Sequence, residues 1–82
     1  MKTIKENEFY RTTDLSLSTA LCVCGYQIEV MDRSDPSRVV FIFRRNEFLD
    51  DVVRLFLAHE LKVDAGTYFN ALKNIKTRLY NV

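Results

Sequence analysis

Val39-Val40-Phe41-Ile42-Phe43 is the stretch on which the fold turns. Every residue in it is β-branched or aromatic, and it is apolar at odd and even positions alike. A run of this kind predicts a central strand, since polar side chains are dispensable only where neither face meets water. Immediately upstream lies the one dense turn cluster of the chain, Asp32-Arg33-Ser34-Asp35-Pro36-Ser37. Pro36 presets a turn dihedral there, and the Asp and Ser side chains can bond nearby backbone. Before it, Tyr26, Ile28 and Val30 alternate with Gln27 and Glu29, the pattern of a half-buried strand. Strand, turn and strand together predict an antiparallel hairpin.

Outward from the hairpin the period changes from two to 3.6. Leu17, Ala20, Leu21 and Cys24 recur at the spacing of one buried helical face. Thr12-Thr13-Asp14 precedes that face as a helix entry, with a hydroxyl or carboxylate free to cap it, and Gly25 follows as a stop, so a helix is expected over 14–24. Beyond the central strand, Arg44-Arg45-Asn46 ends the extended run, and Leu49, Val52, Val53 and Phe56 form a second stripe. With Asn46 as cap and Asp50 and Asp51 near the positive helix end, this helix should span 47–59. Asp64 caps a third helix over 65–80, with Tyr68, Leu72, Ile75 and Leu79 inward and Lys73, Lys76 and Arg78 toward its negative end. At the start, Phe9 and Arg11 alternate with Tyr10 and Thr12, which predicts a short edge strand over 8–12. Residues 1–7 are polar and aperiodic and are expected to form a flexible arm before a single compact domain over 8–82.

The expected fold class is therefore α+β: a small antiparallel sheet with helices on one face, in the order β-α-β-β-α-α. The predicted core comprises Leu21, Ile28, Val40, Phe41, Ile42, Val53, Phe56, Leu72 and Ile75. One tension is built in. The central strand is apolar on both sides, yet three short helices readily cover one. Either a helix crosses to the second face or a partner covers it.

The stretch from Tyr10 to Tyr80 resembles a family of short prokaryotic and phage-associated proteins classed as a domain of unknown function. The residues that carry the resemblance begin with Tyr10-x-Thr12-Thr13-Asp14-Leu15, Gly25-Tyr26 and Arg38-Val39-Val40-Phe41-Ile42-Phe43. Val63-Asp64, Tyr68-Phe69-x-Ala71-Leu72-Lys73 and Leu79-Tyr80 continue it. Most of these are packing and capping residues. The resemblance implies no activity, cofactor or catalytic residue; it agrees with the fold and points to a mobile-element setting.

Composition limits the chemistry. The 82 residues suit one domain, and 48% apolar with 28% charged residues is a globular balance. A chain this short buries only about 60–65% of its unfolded surface, and small domains compensate with disulfides, metals, good helix packing or oligomerisation. The two cysteines, Cys22 and Cys24, are too close in sequence to bridge or to chelate together on a helix, so a reducing cytoplasm is the expected home. No secretory leader is evident, and the Val39–Phe43 run is too short to span a bilayer. One histidine, His59, leaves too few ligands for a metal site. Cys24 with His59 is the only thiol–imidazole pair, and free cysteines are more often small core residues. The two glycines, Gly25 and Gly66, sit in no phosphate-binding loop.

Charge offers one functional signal. Twelve basic residues against eleven acidic ones nearly cancel, but they are segregated along the chain. Residues 33–45 carry Arg33, Arg38, Arg44 and Arg45 against Asp35, and residues 62–82 carry Lys62, Lys73, Lys76 and Arg78 against Asp64. Residues 46–61 are acidic, with Glu47, Asp50, Asp51 and Glu60 against Arg54. A phosphate-contacting patch built from Arg38, Arg44, Arg45, Lys73 and Lys76 is expected if the strand end and the third helix share a face. Phe41 and Phe43 could stack bases as in an RNA-binding sheet, although core aromatics are the commoner meaning. A helix-turn-helix over the last two helices fits less well, because its bases come late in the second helix. The reading is a small non-catalytic accessory binding protein, with nucleic acid as the first partner. The alternative is a protein-interaction or self-assembly module, a homodimer, supported by the doubly apolar strand and by Phe48, Leu55 and Leu57 off the main helical stripe. No cofactor, membrane partner or small-molecule substrate is expected.

Overall fold

The computed structural model describes residues 8–81. The elements run β1 (Phe9–Thr12), α1 (Leu15–Val23), β2 (Ile28–Asp35), β3 (Arg38–Arg44), α2 (Glu47–Leu57) and α3 (Ala65–Tyr80). The order is β-α-β-β-α-α, and the fold is α+β as expected. The arm expected over 1–7 lies outside the described residues.

The doubly apolar strand is the middle of the sheet, in the order β1-β3-β2, and both of its pairings are antiparallel. The two outer strands consequently run parallel to each other. A parallel pair cannot be joined by a hairpin, so α1 carries the chain from one edge to the other and β3 fills the gap.

Each helix starts on the residue the sequence marks. The Leu17 amide donates to the Asp14 carboxylate at 3.1 Å, Leu49 N to Asn46 Oδ1 at 2.8 Å, and Thr67 N to Asp64 Oδ2 at 2.9 Å. These bonds satisfy amides that have no partner in the first helical turn. At their C-termini α1 and α2 close alike. Tyr26 N reaches Leu21 O at 3.0 Å after Gly25, and Glu60 N reaches Leu55 O at 2.9 Å after His59. This six-to-one closure needs a left-handed residue, and Gly25 and His59 have φ of 100° and 60°.

All three helices pack on the same side of the sheet. Leu17 and Leu21 of α1, Leu49 of α2 and Ile75 of α3 meet Ile28, Phe41 and Phe43 in one buried cluster. α1 lies in the middle, and it is buried through Leu17, Ser18, Thr19, Ala20 and Leu21 rather than along a single stripe. Its buried hydroxyls are neutralised locally: Ser18 donates to the Asp14 carbonyl at 2.9 Å and Thr19 to the Leu15 carbonyl at 2.8 Å. Arg33 of β2 donates to the carbonyls of Arg78 and Leu79 at 3.0 Å each, tying the hairpin to the end of α3.

Several expectations change. Of the predicted core, Leu21, Ile28, Phe41 and Ile75 are buried, while Val40, Ile42, Val53, Phe56 and Leu72 are half-buried. Phe43 and Leu49, both 0% exposed, are instead among its most buried members. Cys24 is exposed, because it is the cap of α1 rather than part of its buried face. β2 begins two residues later than the alternation from Tyr26 implies and continues through Asp35, so the hairpin turn is only Pro36-Ser37. Asp35 fixes that turn by accepting the Ser37 amide at 2.9 Å and hydroxyl at 2.7 Å. The largest change is a bulge. Ile28 pairs with Phe43 but Val30 pairs with Ile42, so two steps along β2 match one along β3. Glu29 is the extra residue, and Ile28 and Val30 therefore point to opposite faces instead of sharing one.

Candidate functional site

Residues directly opposite each other in an antiparallel pair project to one face. Arg11, Ile42 and Val30 therefore form one row across the sheet, on the side away from the helices. The next row holds Val40 and Asp32, and at the other end Phe9 stands beside Arg44. None of these seven side chains belongs to the core cluster or to the residues packed on it. Among the described residues no helix covers this face. Ile42 and Val40 are half-buried along its middle, and Val30 beside them on β2 is 51% exposed. The surface is an apolar centre edged by Arg11 and Phe9 on β1, Asp32 and Asp35 on β2, and Arg38 and Arg44 at the two ends of β3.

The edge groups are organised. The Arg44 guanidinium lies over the Phe9 ring, 5.2 Å from its centroid. That is within cation–π range and draws the arginine toward β1. The Ser34 hydroxyl and amide donate to Asp32 and hold its carboxyl below the ordinary value, with a smaller contribution from the charge of Arg11.

The residues expected to contact phosphate do not gather into one patch. Arg38 and Arg44 stand at opposite ends of β3, six residues and roughly 20 Å apart. Arg45 is already engaged by Asp50, through Nε at 2.9 Å and Nη2 at 3.2 Å. Lys73 lies 5.6 Å from the centre of the Phe69 ring on α3, and Lys76 is exposed on the same helix. α3 belongs to the layer behind the sheet, so the strand-end and helix clusters face different ways. Phe41 and Phe43, 2% and 0% exposed, cannot stack bases; the aromatic on the open face is Phe9.

Elsewhere the chemistry is sparse. Burial raises the Cys22 and Cys24 thiols above their ordinary value, which disfavours the nucleophilic thiolate at neutral pH. His59 lines a recess of about 330 Å³ with Ala20, Phe56, Leu61, Val63 and Tyr68, and neither cysteine is part of that lining. Among the described residues no group of three His, Cys, Asp or Glu side chains could hold a metal ion, and no helix is long and apolar enough to cross a membrane.

The family model described as "Domain of unknown function (DUF5659)" matches residues 7–81. The chain belongs to this family. No curated protein and no solved structure matches it. The DUF5659 assignment thus agrees with the resemblance to a domain of unknown function and brings no activity with it.

Phe9, Arg11, Val30 and Asp32 are the surface residues that sequence reasoning missed. For the first two a signal existed, since Phe9 and Arg11 alternate with Tyr10 and Thr12. For Val30 none did, because nothing in Ile28-Glu29-Val30 marks a bulge.

Proposed function

We propose that this DUF5659 domain is a small non-catalytic binding module that holds a protein partner on the open face of its sheet. The observation that carries the reading is Val30, half exposed on the open face of β2 and beside the apolar Val40 and Ile42 of the central strand. An apolar centre rimmed by charged and aromatic side chains is the anatomy of an interface, and leaving it in water costs solubility without stabilising the fold. A cytoplasmic home suits two unpaired thiols, and a small adaptor suits the prokaryotic or phage-associated setting that the resemblance implies. The test is a photo-reactive amino acid placed at position 30 and, separately, at position 76 on α3, with irradiation in cells. Protein adducts from position 30 and none from position 76 are expected. Equal labelling at both positions overturns the reading.

A second reading has one observation in its favour. Arg44 over Phe9, with Arg11 on the same strand as Phe9, is an aromatic and cationic corner of the type that stacks single-stranded bases. It predicts nucleic-acid adducts from position 30 and affinity that falls steeply with salt.

A further inference from the structure

We propose that the occupant of the open sheet face is a second copy of this chain, packed face to face about a two-fold axis that runs along β3. This rests on the interaction-face reading above. The argument is the arrangement of charge. Arg11 lies on one outer strand and Asp32 on the other, with Ile42 and Val40 of β3 between them and Val30 beside Asp32 on β2. A two-fold axis parallel to the strands places β1 of one copy over β2 of the other and β3 over β3. Each Arg11 then approaches the partner's Asp32 across the apolar centre, twice per dimer. An axis perpendicular to the strands would instead stack Arg11 on Arg11 and Asp32 on Asp32. Opposite charges on opposite edges make the face complementary to itself in the first orientation alone.

At the far end of the face Arg38 stands opposite Asp35 of its own chain, so an acid flanks each Arg38 where the two copies meet near the axis. Arg44 is drawn toward β1 by the Phe9 ring, so the two copies' Arg44 groups lie on opposite sides of the axis rather than against each other. Aligned sheets cross at about 30°, which lets Arg11 cover the one-row offset to Asp32. Strands of four, eight and seven residues, spaced about 4.8 Å apart, present a footprint of roughly 300 Å². That is below the ~800 Å² per partner of a stable specific interface, so the dimer is a reversible one of micromolar or weaker affinity.

The test is sedimentation equilibrium of the full chain from about 10 μM to 1 mM, a range set by that small interface, with circular dichroism as the check on folding. The wild-type chain should approach twice 9.6 kDa at the upper end. Arg11→Asp and Asp32→Arg should each weaken self-association at least tenfold. An equimolar mixture of the two variants should recover it, because every contact in the mixed dimer is again between opposite charges. Should Asp32→Arg fail to fold, Val30→Thr/Ile42→Thr serves in its place and should abolish association without loss of structure. A wild-type monomer at 1 mM, unaffected association in the variants, or no recovery on mixing overturns the proposal. The cross-link at position 30 separates the two claims. An adduct at twice the chain mass supports the second copy. Adducts only with another protein overturn the second copy and leave the interaction face standing. Nucleic-acid adducts, or none, overturn both.

Discussion

His59 closes α2 at a φ of 60°, in the conformation that Gly25 adopts at the end of α1. A Cβ there costs on the order of 1 kcal/mol, partly offset by the greater unfolded-state freedom of glycine. His59→Gly should therefore raise stability by about 0.5 kcal/mol, or a few degrees in Tm, whereas His59→Ala should not. Thermal melts of the two variants check this. The carboxylates offer a second residue-level test. The Thr67 amide and then its hydroxyl hold the Asp64 carboxyl below its ordinary value, the Ser37 amide and hydroxyl do the same for Asp35, and Ser34 does it for Asp32. A carboxyl depressed in the folded state binds its proton more readily in the unfolded one. Its stabilisation is complete above the ordinary value of 3.8 and is lost as pH falls from there through the lower folded value. Tm should thus fall steeply below about pH 4, and Asp35→Asn/Asp64→Asn, which keeps the bonds but cannot titrate, should flatten that fall. Identical acid profiles for the two proteins would count against it.

At the scale of elements, β3 presents two faces with different roles. Phe43 and Phe41 project into the helix layer, and Ile42 and Val40 project away from it. Phe43→Ala should cost about 3–5 kcal/mol in chemical denaturation, enough to unfold a small domain, since the side chain is fully enclosed. Val30→Thr/Ile42→Thr keeps the β-branched shape and should change stability by less than about 1 kcal/mol. If both variants unfold alike, the open face is structural. α2 depends on Asn46, whose Oδ1 also accepts the Tyr26 hydroxyl at 2.7 Å. Asn46→Ala should cost about 1–2 kcal/mol, the upper part of the range for a cap, because it also removes the tie to Tyr26.

The whole molecule is only 20 Å across its shortest axis, the depth of one sheet and one helix layer. Among the described residues, two layers leave no third one for the outer face of the sheet. If that face meets a second copy, folding and association are linked, and Tm should rise with protein concentration between 10 μM and 1 mM, the range in which so small an interface fills. Arg11→Asp should abolish the concentration dependence while leaving the dilute Tm nearly unchanged. Calorimetry at the two concentrations makes the measurement.

What the sequence by itself determined is what local physics controls. Asp14, Asn46 and Asp64 mark the helix starts because a capping side chain acts within three residues. Val39–Phe43 marks the central strand because its apolar content tolerates no solvated edge. The doubly apolar strand also posed the question of whether a helix or a partner covers its second face. Only the tertiary structure decided which residues form that face. The Glu29 bulge reverses Val30 because pairing with β3 is a long-range event that leaves no trace in the alternation. The Arg45–Asp50 pair removes one arginine from a patch that charge counting had placed together. α3 lies behind the sheet, so Lys73 and Lys76 face away from Arg44. Charge clusters in sequence become patches only when packing turns them the same way, and packing is set by contacts many residues apart.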